Sequence, residues 1–344
     1  MGRRMRTPKK SHNSELQLIQ SPQRLLVFTD LDGTLLHPIN YEWRGAASTL
    51  GELRRKRIPL ILCTSKTRAE IKTLRRKMGH VDPYIAENGG ILVVPWTFFG
   101  KPDTEGARSR ELVWRLGWTQ AEASQVLSRL ARRAKVKVRG FRQMSVAEIA
   151  RATGLTLAEA RKAQMREASE PFQIVSASTA QMRAFWRAAR ERRIKLAEGG
   201  RFWHLTMGTD KGQAMTLLIQ LKEIVEGVQL RTIAAGNSSI DLPMLTQASL
   251  PILIPRPNGK FDPKVIRALP GAIRASGSGP AAWAEAVRSA VLQCEREQAA
   301  DLRKLRPIAP ANGWQALALR EFSTLQIPEG HSKPPINRRR AASQ

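Results

Sequence analysis

The sequence predicts an α/β protein built on a parallel sheet, with a second, smaller domain inserted into it. Short apolar stretches at 24–29 and 58–63 have the composition of buried strands, and each ends in a run of polar residues. Helical patterns follow at 44–57 and 68–78, and strands that alternate with helices are typical of a parallel sheet. From about 97 to 195 the pattern changes to long helices with only short strand candidates, which indicates an insertion.

The domain boundaries follow from where these patterns begin and end. Polar and basic residues dominate both ends of the chain, which we expect to be loosely ordered. We predict four segments: a basic flexible tail at 1–22, a parallel-sheet α/β core formed by 23–96 and 196–278, a cap domain at 97–195, and a C-terminal helix with a basic, proline-rich tail at 279–344.

Net charge is the most unusual property of the composition. The chain carries 57 Lys and Arg against 29 Asp and Glu, which gives a formal net charge of +28. A positive field attracts anions, which include phosphate esters, nucleic acids and anionic membrane surfaces. The basic residues are spread along the chain, and the sequence has no zinc-finger or aromatic RNA-binding pattern. We therefore favour a small phosphorylated partner and keep nucleic acid, held through the basic tails, as a secondary alternative.

Cysteine usage and hydrophobic patterning favour a cytoplasmic protein. Cys63 and Cys294 lie far apart in sequence and predict neither a disulfide framework nor a zinc cluster. No apolar run is long enough to span a bilayer, and no apolar segment follows the basic N-terminus as it would in a signal peptide. We expect no membrane association, and the sequence leaves the oligomeric state open.

Two aspartates directly after the first predicted strand form the main candidate site. Asp30 and Asp32 lie two residues apart and are followed by Gly33 and Thr34. In an extended chain alternate side chains point the same way, so both carboxylates should face the carboxyl edge of the sheet. Two like charges so close are costly unless a cation lies between them or one is protonated. A solvated Asp-Gly turn is the alternative, which the preceding apolar strand disfavours.

The stretch 30–34 resembles the first motif of phosphatases of the haloacid dehalogenase (HAD) superfamily. The resemblance implies that Asp30 attacks phosphorus to form an aspartyl phosphate, and that Asp32 acts as general acid and base. It also implies that Thr64, after the second strand, and Lys211, at the start of a helix, hold the phosphoryl oxygens. Taken alone, Thr64 could equally be a helix N-cap, and Lys211 a surface charge.

The loop at 236–241 resembles the metal-binding motif of the same superfamily but departs from it at two positions. Asn237 stands where the family has Asp, and Ile240 stands where it has Asn. An Asn offers only a neutral oxygen, so we expect weaker metal binding or compensation by Asp241, directly or through water. The resemblance implies a magnesium ion with four ligand residues: Asp30, Asp32 through its backbone carbonyl, Asn237 and Asp241.

Further stretches resemble mannosyl-3-phosphoglycerate phosphatases within the HAD superfamily, and the resemblance extends over about residues 24–260. These stretches are 63–71, 86–90, 140–144, 166–172 and 199–205. The resemblance implies an anionic sugar-glycerate substrate that carries a phosphate, hydrolysed to a glycosylglycerate. The expected substrate-binding residues come from core and cap: Lys66, Arg68, Glu87, Asn88, Arg166, Ser169 and Glu170. We interpret His204 as a packed or hydrogen-bonded histidine rather than a ligand.

Three alternatives remain open at this point. The core motifs do not select a substrate, so another sugar phosphate or a phosphorylated small acid would fit them equally well. The replacement at Asn237 fits a regulatory or binding protein that kept the fold and lost the metal site. The basic tails fit a protein associated with nucleic acid.

Overall fold

Two sheets organise the described part of the chain. The computed structural model describes residues 25–100, 111–192, 194–199, 202–206 and 208–304. The N-terminal tail predicted at 1–22 and the C-terminal tail beyond 304 lie outside the described residues, as does the nucleic-acid contact that we considered for them.

The helices and strands of the described residues alternate as the sequence predicts. In chain order the strands are β1 (Leu25–Thr29), β2 (Leu60–Cys63), β3 (Tyr84–Ala86), β4 (Ile91–Pro95), β5 (Glu111–Arg115), β6 (Lys137–Gly140), β7 (Glu170–Ser176), β8 (Lys195–Gly199), β9 (Phe202–Thr206), β10 (Arg231–Gly236), β11 (Leu250–Leu253) and β12 (Ile273–Arg274). The helices are α1 (Ala47–Arg55), α2 (Arg68–Met78), α3 (Gln120–Ala134), α4 (Val146–Thr153), α5 (Leu157–Gln164), α6 (Thr179–Glu191), α7 (Lys211–Glu226), α8 (Leu242–Gln247), α9 (Pro263–Ala268) and α10 (Gly279–Lys304).

The larger sheet forms the core and has the order β12-β11-β10-β1-β2-β3-β4-β5. The strands from β12 to β3 are parallel, and β4 and β5 extend the sheet in antiparallel orientation. Strands β10, β1 and β2 are neighbours, so their carboxyl ends lie side by side. Asp30, Thr64 and Asn237, which follow these three strands, therefore meet at one edge of the sheet, where open α/β sheets bind ligands. The predicted α/β class is confirmed.

Both faces of the core sheet are covered by helices, which explains why the first four residues of β1 are all apolar. Leu25 and Val27 pack into a cluster with α1, α2 and α10, whereas Leu26 and Phe28 pack against α7, α8 and α9. The C-terminal helix α10 also reaches the edge that carries the candidate site. Its buried Trp283 donates a hydrogen bond through Nε1 to the Thr29 hydroxyl at 2.8 Å, which fixes the end of β1 just before Asp30.

The smaller sheet belongs to the cap and has the order β6-β7-β9-β8, with all neighbours antiparallel. Helices α3 and α6 cover one face, where Phe172, Phe185 and Leu205 are fully buried. The hairpin of α4 and α5 forms a separate apolar cluster with Phe141 and Phe202. The cap that the sequence predicts is therefore a real α/β unit with two small hydrophobic cores of its own.

The boundaries of this cap differ from the predicted range 97–195 at both ends. Strand β5 lies inside that range but pairs with β4 as the edge strand of the core sheet. Strands β8 and β9 lie, apart from Lys195, in the range 196–278 that we predicted as core, yet they pair in the smaller sheet. Short strands near an insertion have the same two-residue alternation in either sheet. Only the pairing partners assign them.

Two expectations from composition can be compared with the structure. Cys63 and Cys294 are both free and buried, which agrees with the absence of a predicted disulfide. Among the helices that the structure describes, none combines the length and the apolar character needed to cross a membrane.

Candidate active site

Asp30, the predicted nucleophile, is only 8 % exposed and lies in a cluster of buried charges. Its Oδ1 accepts a hydrogen bond from Lys211 Nζ at 2.6 Å, and its Oδ2 accepts one from the Thr34 hydroxyl at 3.1 Å. Burial and, next, the negative charge of Asp241 raise the pKa of Asp30 to about 7, against the opposing positive charge of Lys211. One ammonium group thus faces two buried carboxylates, and a second cation would relieve the remaining negative charge.

Lys211 begins α7 directly after the N-cap residue Asp210 and is 1 % exposed. Besides Asp30, its Nζ donates a hydrogen bond to Asp241 Oδ1 at 2.6 Å. Burial alone would lower the pKa of Lys211, but the carboxylates of Asp241 and Asp30 raise it above its ordinary value. The surface-charge alternative for Lys211 is therefore wrong, and a permanent positive charge stands beside the candidate nucleophile.

Asp241 is fully buried, and four donors occupy its carboxylate. Oδ1 accepts from Lys211, while Oδ2 accepts from the backbone N–H of Asn237 at 3.1 Å and from the N–H and hydroxyl of Ser238 at 3.1 and 2.9 Å. Three donors thus occupy Oδ2 fully, and Lys211 engages Oδ1. These contacts do not point to the predicted role of Asp241 as a metal ligand. Asp241 instead positions Lys211 and shapes the loop at 236–241.

A hydrogen bond connects the side chain of Asn237 with the main chain of Asp32. The side-chain amide of Asn237 donates a hydrogen bond to the backbone carbonyl of Asp32 at 3.0 Å. The carboxylate of Asp32, 37 % exposed, forms an ion pair with Lys66 Nζ at 2.9 Å, and that ammonium also lies 4.6 Å from the centre of the Tyr41 ring. The predicted general acid and a predicted anion-binding lysine are therefore direct neighbours at the carboxyl edge of the core sheet.

Thr64 is fully buried at the end of β2, and the structure excludes its alternative role as a helix N-cap. Helix α2 is capped instead by Thr67, which forms a reciprocal capping box with Glu70. The Thr64 hydroxyl accepts the backbone N–H of Lys66 at 3.2 Å, and the Thr64 carbonyl accepts the N–H of Asn88 at 2.9 Å. The hydroxyl hydrogen is thus available for an oxygen of a bound phosphoryl group.

The loop after β3 has a strained backbone next to this edge. Glu87 and Asn88 have φ values of 51° and 57°, a left-handed conformation that non-glycine residues rarely adopt. At Gly89, with φ 99°, a Cβ would lie 2.2 Å from the backbone of Asp210, so only glycine lets the loop approach α7. Asn88 is 6 % exposed, and neither of its side-chain polar atoms has a hydrogen-bond partner within the described residues. Its amide is therefore a strong candidate for binding a ligand.

Glu87 fastens the cap to the core instead of facing a substrate. It is fully buried, and its carboxylate accepts the backbone N–H groups of Glu167 at 2.8 Å and Ala168 at 3.1 Å. The hydroxyl of Ser169 donates to the same carboxylate at 2.7 Å. The predicted substrate-binding roles of Glu87 and Ser169 are not supported, because their polar atoms bind each other and the cap backbone.

The two arginines predicted to bind substrate lie at different depths. Arg68 pairs through Nε with Glu167 at 2.7 Å, with 36 % of its side chain exposed, so it bridges core and cap at the rim. The side chain of Arg166 is only 5 % exposed and donates to the Ser65 carbonyl at 3.0 and 3.1 Å and to Ser169 at 2.8 Å. Its Nε is buried without a described partner, which leaves one donor for a ligand.

Glu170 was predicted to face the substrate, but the structure places it under the helices of the cap. It pairs opposite Leu205 and lies two residues from Phe172, on the sheet face that packs against α3 and α6. Its Oε1 accepts the backbone N–H of Arg142 at 3.0 Å. A Cβ at Gly140 would lie 2.1 Å from the same oxygen, so glycine is required there. Burial raises the pKa of Glu170 to about 7.

We predict that Glu170→Gln stabilises the protein in a pH-dependent manner. The folded state holds the Glu170 proton up to about pH 7, whereas the unfolded chain releases it near the ordinary value of 4.5. The free-energy cost of burying the ionised carboxylate is therefore absent below about pH 4.5, grows between pH 4.5 and pH 7, and is complete above pH 7. Denaturant unfolding at pH 8 should show the variant more stable by about 2 kcal/mol, and the difference should shrink towards zero at pH 5.

The matched control for this prediction is Glu42→Gln at an exposed position. It removes the same charge without relieving burial, so its effect should stay small at every pH. If Glu170→Gln raised the free energy of unfolding equally at pH 5 and pH 8, the buried carboxylate would not be the cause.

Comparison with known proteins agrees with this geometry. Residues 27–97 match the model of the haloacid dehalogenase-like hydrolase family. A glucosyl-3-phosphoglycerate/mannosyl-3-phosphoglycerate phosphatase from Persephonella marina is 33% identical over 273 residues, which cover 79% of this chain and 99% of that protein. The chain belongs to the haloacid dehalogenase-like hydrolases. It is a HAD-type phosphatase, a phosphoric monoester hydrolase, as the motifs predicted.

A second relative supports the assignment, and a solved structure supports the fold. A protein of the same name from Methanococcoides burtonii is 33% identical over 267 residues, covering 76% of this chain and 95% of that protein. The structure of a HAD-superfamily phosphatase from Bacteroides thetaiotaomicron has a TM-score of 0.55 with 16% identity, covering 80% of this chain and 97% of the other. At this identity the structural likeness concerns the fold alone.

Sequence reasoning missed several residues of this HAD site. Thr34 lies inside the first motif, yet only the structure shows its hydroxyl on the Asp30 carboxylate. Glu167 and Trp283 act through partners 99 and 254 positions away, Arg68 and Thr29. Contacts over such distances leave no periodic signal in one sequence.

Proposed function

We propose that this HAD phosphatase hydrolyses a glycosyl-3-phosphoglycerate, with mannose or glucose as the sugar, to the glycosylglycerate and phosphate. The observation that carries the proposal is the similarity to two relatives of that name, each matched over 95% or more of its length. The site agrees chemically, because Lys66, Arg166 and Lys211 offer positive charge to a substrate with a phosphate and a carboxylate.

The mechanism that we propose uses Asp30 as the nucleophile. A carboxylate oxygen of Asp30 forms a bond to phosphorus while the bond from phosphorus to the leaving oxygen breaks, and Asp32 gives its proton to that oxygen. Asp32 then takes a proton from water, whose oxygen attacks phosphorus and releases phosphate and the free Asp30 carboxylate. Lys211 and the Thr64 hydroxyl hold the phosphoryl oxygens throughout, and their fixed positions require no reorganisation during the reaction.

The residues present fit a magnesium ion that is completed by the substrate. Among the described residues, no group of three or more His, Cys, Asp or Glu side chains is arranged to hold a metal. The remaining donors are oxygens, which Mg²⁺ prefers, and Mg²⁺ commonly relies on one or two carboxylates together with phosphate oxygens and water. We propose the Asp30 carboxylate, the Asp32 backbone carbonyl and the Asn237 amide oxygen as ligands. When bound, the ion would neutralise charge on the phosphoryl group.

Phosphate release is the experiment that tests the substrate. Mannosyl- and glucosyl-3-phosphoglycerate should be hydrolysed with a kcat/KM about tenfold or more above that of 3-phosphoglycerate and of simple sugar phosphates, because more groups of the substrate contact the cleft. A chelator should abolish turnover, and added Mg²⁺ should restore it. Preference for another ester in the panel would replace the proposed substrate and leave the phosphatase class intact.

The alternative of a regulatory or binding protein disagrees with the assignment as a phosphoric monoester hydrolase. The Asn237 amide, which donates to the Asp32 carbonyl, therefore bears on the strength of metal binding and not on the class of protein. Turnover of any ester in the panel that disappears in Asp30→Asn is the direct check.

A further inference from the structure

His204 of the cap is a buried histidine with an unused ring nitrogen. The residue is 8 % exposed, and its Nδ1 has no hydrogen-bond partner in the described part of the chain. A buried polar atom without a partner is unfavourable and needs an explanation. The interpretation of His204 as a packed or hydrogen-bonded histidine agrees with its burial but leaves Nδ1 without an explanation.

The sheet register shows which way His204 points. It pairs opposite Pro171, one position away from Leu205, which packs against α3 and α6. Neighbouring residues of a strand point to opposite faces, so His204 lies on the other face together with Phe202. The Phe202 ring contacts Phe141 with centroids 4.9 Å apart, and the Arg166 guanidinium lies 5.6 Å from the Phe141 ring centre. His204 thus shares the sheet face that Arg166 approaches from the core–cap junction.

Arg166 connects this sheet face with the catalytic edge. Its guanidinium donates to the carbonyl of Ser65, the residue that follows Thr64. Burial lowers the pKa of His204 to about 3, and the positive charges of Arg166 and Lys211 contribute to the decrease. The ring is neutral at physiological pH, and a neutral imidazole offers one donor and one acceptor.

Two other side chains have unpaired polar atoms close to this edge. Asn88, bonded through its N–H to the Thr64 carbonyl, has both amide atoms free within the described residues, and Arg166 has a free Nε. Both side chains are more than nine-tenths buried. These unpaired atoms come from the loop after β3, from the segment before β7 and from β9. Polar atoms left unpaired in this way are expected where a polar ligand binds.

We infer that His204 is a substrate-binding residue whose imidazole hydrogen-bonds a hydroxyl group of the leaving group, beside Asn88 and Arg166. This inference rests on the proposed function and deepens it, because the glycosylglycerate leaves with several hydroxyl groups. A hydroxyl suits a neutral imidazole because it can donate to one ring nitrogen or accept from the other. The anionic groups of the substrate would be held by Lys211 and Arg166.

The test compares His204→Phe with His204→Asn on two substrates, mannosyl-3-phosphoglycerate and p-nitrophenyl phosphate. Phe keeps a planar ring and removes the hydrogen bond, whereas Asn keeps a polar atom close to the position of Nδ1. For the glycosyl substrate, His204→Phe should lose about tenfold in kcat/KM, mainly through a higher KM, which corresponds to one neutral hydrogen bond. For the nitrophenyl ester, which has no leaving-group hydroxyl, kcat/KM should change less than about twofold. His204→Asn should recover most of the loss.

Two results would overturn the inference. An equal loss on both substrates would show that His204 acts through packing, and unchanged kinetics in His204→Phe would show that it binds nothing. If the wild-type protein hydrolyses the nitrophenyl ester but not the glycosyl substrate, the proposed function fails on its own. In that case the loss in kcat/KM caused by His204→Phe is measured with the best hydroxyl-bearing ester of the panel and compared with the loss on the nitrophenyl ester. This comparison then decides the role of His204.

Discussion

Asp30→Asn is expected to lower phosphate release on the order of 10,000-fold or more and to leave no phosphorylated protein. An amide cannot displace the leaving oxygen from phosphorus, whereas its shape preserves the contacts of the buried cluster. Lys211 retains its second carboxylate partner, Asp241, so the variant should stay folded. The measurement is turnover of the preferred ester, combined with intact-protein mass after acid quenching to detect the phosphoryl adduct.

Asp32→Asn is the control that separates attack from proton transfer. It should lose hydrolysis of alkyl phosphates, because their leaving oxygen needs a proton, but should still accept a phosphoryl group from p-nitrophenyl phosphate. Since water is then poorly activated, the adduct should accumulate in this variant and be absent in Asp30→Asn. An adduct of equal amount in both variants would place the nucleophile elsewhere.

Asn237→Asp is expected to tighten Mg²⁺ binding about tenfold to a hundredfold. In the wild-type protein the Asn237 amide donates to the Asp32 carbonyl at 3.0 Å. A carboxylate cannot donate this bond, so it would free the carbonyl oxygen and add a charged ligand. The Mg²⁺ concentration for half-maximal activity should fall accordingly. Independently of activity, the rise in Tm on adding Mg²⁺ should be larger in the variant, because a tighter ligand stabilises the folded state more.

The matched control for this change is Asn258→Asp on the exposed turn at 256–260. It adds the same negative charge outside the cleft and should leave the Mg²⁺ dependence unchanged. Asn237→Ala should weaken Mg²⁺ binding if the amide oxygen is a ligand. A Mg²⁺ dependence that is identical in all three variants would exclude position 237 from the metal site.

The elements that the sequence predicted best are those whose signal is local. The residues at 25–28 are all apolar because β1 is buried on both faces, and the paired aspartates come directly after the strand. Helices α2 and α7 begin at Arg68 and Lys211, close to the predicted starts, since Thr67 and Asp210 cap them with their own side chains. Local patterns of this kind depend on neighbours within a few residues.

Roles that depend on distant partners were predicted less well. Glu87 and Glu170 are both acidic and both belong to stretches that resemble the phosphatase subfamily, yet neither faces the cleft. Glu87 binds the cap backbone 80 positions away, and Glu170 is turned under α3 by its pairing with Leu205. His204 lies on the opposite face of the same sheet, where its unpaired Nδ1 leads us to propose a role in substrate binding.

The sequence by itself determined the α/β class, the two aspartates at a strand end, Thr64, Lys211 and the HAD family, because each depends on residue types at short, fixed spacing. The tertiary structure decided the cap boundaries and the use of each polar side chain. It brings four donors to the Asp241 carboxylate and leaves the Asn88 amide and His204 Nδ1 unpaired within the described residues. The physical reason is that hydrogen-bond satisfaction is a property of three-dimensional neighbours, and one sequence does not specify which distant groups will meet.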